Sequence, residues 1–217
     1  MKQKSYFWAS YADLMTTLFF IMLVLFVSTF IIMNDKGKAN KEQIEKIRSL
    51  EGSVRNIDQG LFKYNEEYQK HVLQIEVKYE AYKFSPRLLD AGTRQKLINA
   101  GRKIKNFVDK AYDEYKSPFL IIVEGQASKD NYNRDEYNNN DILSYNRALY
   151  LVKLWEDNGI RLRSPEYNKK AELLICGSGT SGAMRSQPDD PFNKENQRFL
   201  IHILPKPGII KAEKDEK

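Results

Sequence analysis

The sequence predicts an α+β chain with a single N-terminal transmembrane helix, a helical linker, and a two-layer sandwich whose elements run βαβαββ. Leu14 to Met33 is a run of 20 residues without a formal charge. Ile47 to Tyr68 spaces its apolar residues alternately three and four apart. Beyond His71, short apolar runs alternate with stretches of helical period, the pattern of packed strands and helices.

At 1.5 Å rise per residue the apolar run reaches about 30 Å, one hydrocarbon thickness. Its polar members are Thr16, Thr17, Ser28 and Thr29, whose hydroxyls can bond back to a helical carbonyl. Lys2 and Lys4 resemble the charged start of a signal peptide, but the run exceeds the usual ~7–15 residues and lacks a small-x-small exit. An uncleaved anchor is expected. Lysines flank both ends of the span, so charge does not orient it.

Asp13 stands just inside the N-terminal end of the span, in a helix expected to begin at Tyr6 or Trp8. An ionised carboxylate there costs up to ~2.5–3.5 kcal/mol, less near an interface. Ala9, Ser10, Thr16 and Thr17 fall on its helical face, which makes that face small and hydroxylated. The residues leave two readings open, an interfacial acid that merely ends the span or an acid in a packed or water-lined path.

After a polar exit at Asn34–Asn40, Ile47, Leu50, Val54, Ile57, Leu61, Tyr64 and Tyr68 form an a/d-type seam over about three heptads. It fits a parallel coiled coil or an amphipathic helix lying on its own domain. Gly52 and Gly60 interrupt it at ~1 kcal/mol each against Ala. The expected divisions are 1–34 for tail and span, 35–69 for the linker, 70–206 for the globular domain and 207–217 for a charged, frayed tail.

Within the domain, Leu73, Ile75 and Val77 alternate as a half-exposed strand. Ala91–Tyr112 places Leu97, Ile104, Phe107, Val108 and Ala111 on one helical stripe. Phe119–Val123 reads as a central strand buried on both faces. Asp141–Trp155 is a second amphipathic helix, with Leu143, Ala148, Leu151, Val152 and Trp155 inward. Ala171–Cys176 and Phe199–Leu204 complete the strands. Gly177-Ser178-Gly179-Thr180-Ser181-Gly182 matches G-x-G-x-x-G after a strand, but Pro188 and Pro191 forbid the helix a dinucleotide site needs. It is expected to be a loop.

The 35 basic and 29 acidic residues, net +6, are dispersed, without the Arg clusters or aromatic motifs of nucleic-acid binding. One cysteine, Cys176, excludes an intrachain disulfide and reads as a buried thiol. His71 and His202 lack ligand spacing, so neither metal nor cofactor is expected. No paired-carboxylate or Ser/His motif in a recognisable context supports an envelope hydrolase, and no enzymatic activity is expected.

Phe7-Trp8-Ala9-Ser10-Tyr11-Ala12-Asp13-Leu14-Met15-Thr16 resembles the signature of the B subunits of ion-driven stator complexes, the MotB/ZorB family. Its FW-x-SYADLMT wording is closer to the form in the Zorya anti-phage system than to the flagellar one. The resemblance implies that Asp13 carries the translocated ion, H+ or Na+ and by expectation a proton, with Ser10, Tyr11, Thr16 and Thr17 along the path. It implies a homodimer inside a ring of MotA/ZorA-like multi-span subunits. It also implies a bacterial inner-membrane protein with a cytoplasmic N-terminus and a periplasmic C-terminal domain. A flagellar stator role and a passive envelope anchor are the alternatives.

Three stretches of the C-terminal region are similar to the OmpA-like peptidoglycan-binding domain. They are Ile122-Val123-Glu124-Gly125, Asn140-Asp141-Ile142-Leu143-Ser144-Tyr145-Asn146-Arg147-Ala148, and Gly177 with Asn196-Gln197-Arg198-Phe199. The likeness implies peptidoglycan binding at Asn140, Leu143 and Arg147. In that family an Asp and the Arg hold the ammonium and carboxylate of the peptide stem. Here Gln126-Ala127-Ser128 replaces His-Thr-Asp, so Ser128 offers a neutral hydroxyl, with Asp130 close by in sequence.

Overall fold

The computed structural model describes residues 3–75, 77, 79, 83–129, 139–190 and 193–206. These fall into two units, one holding residues 3–45 and the other residues 46–206. The expected charged tail, 207–217, and Asp130 lie outside the described residues.

Helix α1 spans Gln3–Arg55, starting ahead of the expected Tyr6 and running on through the polar stretch at Asn34–Asn40. Among the described residues, its Trp8–Lys38 portion alone is long and apolar enough to cross a membrane. Its large apolar side chains from Trp8 to Met33 are exposed all round the helix, a surface suited to lipid or other membrane helices. The hydroxyls bond back as expected, Thr16 Oγ1 to Ala12 O at 2.7 Å, Thr17 Oγ1 to Asp13 O at 2.9 Å and Thr29 Oγ1 to Leu25 O at 2.7 Å.

The Ile47–Tyr68 seam follows the second of its two sequence readings, and only in part. Leu50, Val54 and Ile57 are buried in the core of the 46–206 unit, Leu50 completely. They pack on their own domain and are not presented to a second helix. The helix stops at Arg55, and Asn56 Nδ2 donates to Gly52 O at 3.0 Å. Asp58 then builds a turn, its Oδ1 accepting from Gly60 N and its carbonyl from Leu61 N and Phe62 N. Phe62–Asn65, read as the end of the seam, is strand β1.

β1 pairs antiparallel with β2, Lys70–Leu73, from Phe62↔Leu73 to Asn65↔Lys70. The first expected strand therefore sits earlier than Leu73–Val77. The ladder ends at Leu73 because its partner ends there, yet Ile75, Val77 and Tyr79 still bury alternate side chains. Helix α2, Ala91–Tyr115, is capped by Asp90, whose Oδ1 accepts from Thr93 N at 2.9 Å. Strand β3 is Phe119–Gly125, α3 is Asn140–Asp157, β4 is Ala171–Gly177 and β5 is Phe199–Pro205.

The five strands form one sheet in the order β1-β2-β5-β3-β4. β3 and β4 are parallel, and β5 lies antiparallel between β2 and β3. The class is α+β as expected, with one hairpin strand more than βαβαββ. Phe119, Ile121 and Val123 are fully buried with Leu97, Ile104, Val108, Ala148, Leu151 and Trp155 of α2 and α3. The alternate residues Leu120 and Ile122 are only half-buried, and Leu174 beside them is exposed. The central strand is thus covered fully on one face, not on both. Cys176, on that less covered face, is half-buried and not enclosed, and burial and the Glu124 charge push its thiol up.

Glu124 is buried on the same face and accepts from Lys70 Nζ at 2.8 Å and from His202 Nε2 at 3.4 Å. Burial by itself pushes the carboxyl up, but the bonds from His202 and Lys70 outweigh it and bring it down from 4.5 to about 2. The folded state therefore prefers the carboxylate. Its contribution is present above the unfolded value and is lost as pH falls from about 4.5 towards 2, on the order of 2 kcal/mol after solvent screening. Glu124→Gln should flatten stability over that interval, which urea titrations at several pH values will read. An unchanged acid slope would show that this pair is not what acid breaks.

Candidate functional site

The ion-path residues named from the motif share one exposed stretch of α1. Ser10, Asp13, Thr16 and Thr17 are exposed, Tyr11 is nearly half exposed, and the Trp8 and Tyr11 rings meet edge-on at 6.3 Å. Thr16 and Thr17 commit their hydrogens to backbone carbonyls, so their outward lone pairs can only accept. That stretch presents the Asp13 carboxyl group and two hydroxyl acceptors at the N-terminal end of a mostly apolar run.

The other candidate residues gather where α3 crosses the ends of β3 and β4. Glycine is required there, since a Cβ on Gly125 would run into the Ser144 carbonyl and one on Gly177 into Tyr145 N. Asn139 caps α3, its Oδ1 accepting from Ile142 N at 3.0 Å. Ser144 ties the helix to the loop after β4, donating to Asp141 O and accepting from Gly179 N at 2.9 Å. The inward face of α3 then reads Asn140, Leu143, Ser144, Arg147, Ala148, all buried.

Arg147 is 2 % exposed, which excludes a surface ion-pair role. Its Nε donates to Lys83 O at 3.2 Å and its Nη1 to Gln126 O at 3.5 Å. The guanidinium carbon lies 4.7 Å from the centre of the Tyr79 ring. Burial pushes the Tyr79 phenol up, against the pull of Arg147. In place of the expected open clamp, Arg147 is an internal cation that ties Tyr79 and Lys83 to α3 and to the exit of β3.

Ser128 is 2 % exposed and accepts from Gln197 Nε2 at 3.1 Å. An Asp there would carry a charge into the protein interior, so the neutral pair Ser128–Gln197 suits the burial. Asn140, Leu143 and Arg147 thus share the inward face of α3 and Ser128 follows β3, and all four are buried. The G-x-G-x-x-G stretch opens no helix, since residues 178–190 are turns and bends.

Sequence reasoning missed Tyr79, Gln126 and Arg185. Gln126 Oε1 accepts from Arg198 Nε at 3.0 Å while its Nε2 donates to Ala183 O at 2.7 Å. Arg185 Nη2 donates to Ala127 O at 3.0 Å. The signal for Gln126 was the break in the His-Thr-Asp wording. Arg185 had none, standing alone in a loop.

Neither a family model nor a curated protein matches the sequence. Solved structures do match the course of the chain. A MotB-like protein from Desulfovibrio vulgaris is 12 % identical with TM-score 0.45, covering 76 % of this chain and 96 % of that one. The periplasmic domain of Helicobacter pylori MotB is 14 % identical with TM-score 0.44, covering 67 % of this chain and 81 % of that one. The OmpA-like domain of FopA1 from Francisella tularensis is 19 % identical with TM-score 0.39, covering 66 % and 80 %.

Proposed function

We propose that the chain is the B subunit of an ion-driven, stator-type membrane complex of the Zorya-like defence kind, anchored to peptidoglycan. The observation that carries the reading is Asp13 on a hydroxylated face of a membrane-length helix, inside the ten-residue wording Phe7 to Thr16. Two copies set their α1 helices within a ring of multi-span partner subunits. Asp13 takes a proton from one side and releases it to the other, and the Thr16 and Thr17 oxygens accept from the protonated acid or from hydrating water. The alternation of charge on Asp13 drives rotation of the ring against the anchored pair. The N-terminus lies in the cytoplasm and the domain on the cell-wall side.

An envelope anchor without ion traffic has no use for a carboxylate in that position, and the cost of placing it in the span argues for a role. The domain supplies the fixed point. Asn140, Leu143, Arg147 and Ser128 form the floor of its peptidoglycan site, with Arg147 fixing the shape of that floor from beneath.

The anchor is tested by sedimenting the full chain in detergent with purified cell wall. Arg147→Ala removes the charged bonds to Lys83 O and Gln126 O that hold the floor in shape, worth ~1.5–3 kcal/mol, and should weaken co-sedimentation by up to roughly 10- to 150-fold. Because Arg147 also supports the fold, Arg147→Lys and circular dichroism of both variants separate lost binding from lost structure. Equal sedimentation of wild type and a folded Arg147→Ala would remove this site.

A further inference from the structure

The loop from β4 to β5 carries two arginines onto the segment that follows β3. The Arg185 side chain is only 8 % exposed. Its Nε donates to Asp189 Oδ1 at 2.8 Å and its Nη2 to Ala127 O at 3.0 Å, while Nη1 is buried with no acceptor among the described residues. Arg198 donates from Nε to Gln126 Oε1 at 3.0 Å, and its Nη2 is likewise buried without an acceptor. Between them in function stands Gln197, 6 % exposed. Its Nε2 donates to Ser128 Oγ, and its Oε1 is buried without a donor among the described residues.

Buried donors on two neighbouring cations call for an anion. Burial and the Arg185 charge push Arg198 below its ordinary range, against the pull of Glu195 and Glu124. Asp189, the acid on Arg185, is shared with Lys129 at 2.9 Å and Asn196 Nδ2 at 3.2 Å. Arg147 does not supply the missing recognition, because its guanidinium is already turned to Lys83 O, Gln126 O and the Tyr79 ring.

We propose that Arg185 and Arg198, with Gln197, bind the free C-terminal carboxylate of a peptide together with its adjacent amide N–H. The carboxylate accepts from Arg185 Nη1 and Arg198 Nη2, and the amide donates to Gln197 Oε1. A phosphate or sulfate fits less well, since it would set a negative oxygen against the Gln197 carbonyl. The site rests on the peptidoglycan reading in taking a peptide stem as its source, but its residues are other than the four assigned from the motif.

The test uses the full chain in detergent micelles and the probe N-acetyl-D-alanine, read from arginine side-chain Nε–Hε resonances. The probe should shift Arg185 and Arg198 saturably, and at least tenfold more tightly than acetate or inorganic phosphate. N-acetyl-D-alaninamide, which lacks the carboxylate, should leave them unmoved. Arg185→Gln and Arg198→Gln should each weaken binding at least tenfold, and Gln197→Leu should erase the preference over acetate. If a variant unfolds, the wild-type resonances with the four probes decide alone. Absence of a saturable shift, or equal affinity for phosphate, overturns the proposal. Undiminished cell-wall sedimentation by folded Arg185→Gln and Arg198→Gln would overturn it too, leaving the peptidoglycan reading standing. Probe binding without any wild-type sedimentation would sustain the site and remove that reading.

Discussion

Asp13→Asn should leave the chain in the membrane, paired and bound to its partner ring, yet reduce ion-driven function to the level of a strain without the gene. The amide keeps the size and hydrogen-bonding reach of the acid but carries no exchangeable charge, so nothing alternates between the two sides. Asp13→Glu keeps the charge one methylene further out and should retain part of the activity. Two readouts serve: phage plating efficiency in a host carrying the complete system, and proton flux into vesicles holding the purified complex. Motility replaces plating if the neighbouring genes are flagellar. Full activity of the Asn variant with normal assembly would end the ion-carrier reading. Loss of assembly would assign Asp13 to helix packing instead.

Leu50→Ala should destabilise the 46–206 unit by ~2–5 kcal/mol, the cost of deleting a large side chain from a closed core. Leu50 is completely buried beside Val54 and Ile57, and His71 Nε2 donates to Val54 O at 2.9 Å from within the domain. Ser49 Oγ and Tyr115 Oη, 3.0 Å apart, add a bond from the same stretch to the end of α2. The loss should appear as a lower urea midpoint of the full chain in detergent, independent of protein concentration. A coiled-coil seam predicts the opposite pattern, a domain midpoint that stays put and a dimer that dissociates on dilution. Observing that second pattern would return these residues to an intermolecular seam.

The elements that were legible in the sequence share a physical reason. In α2 and α3 burial follows the local period, so Leu97, Ile104 and Val108 announce their own face, while β3 to β5 announce themselves as short apolar runs. The β1–β2 hairpin was hidden because Phe62-Lys63-Tyr64-Asn65 is short and continues the three-and-four spacing of the preceding helix. Nothing local says that the period changes there; the Asp58–Gly60 turn and the pairing with Lys70–Leu73 decide it. In the same way Val123 and Leu120 read alike in an apolar run, and only the helices lying on one face separate them.

The candidate sites divide along the same line. By itself the sequence determined that a membrane-length helix carries one acid at its N-terminal end, because length, hydropathy and charge are properties of a contiguous stretch. It also determined the core face of α3, since Leu143, Ala148, Leu151, Val152 and Trp155 recur at helical spacing. Only the tertiary structure decided that Arg147 is an internal tie, that Ser128 is matched by Gln197, and that Arg185 and Arg198 share one segment. Those facts depend on strands and loops 58 to 69 residues apart in the chain being brought together at the exit of β3. A side chain's partner at such separation is set by packing of the whole domain, and no local period encodes it.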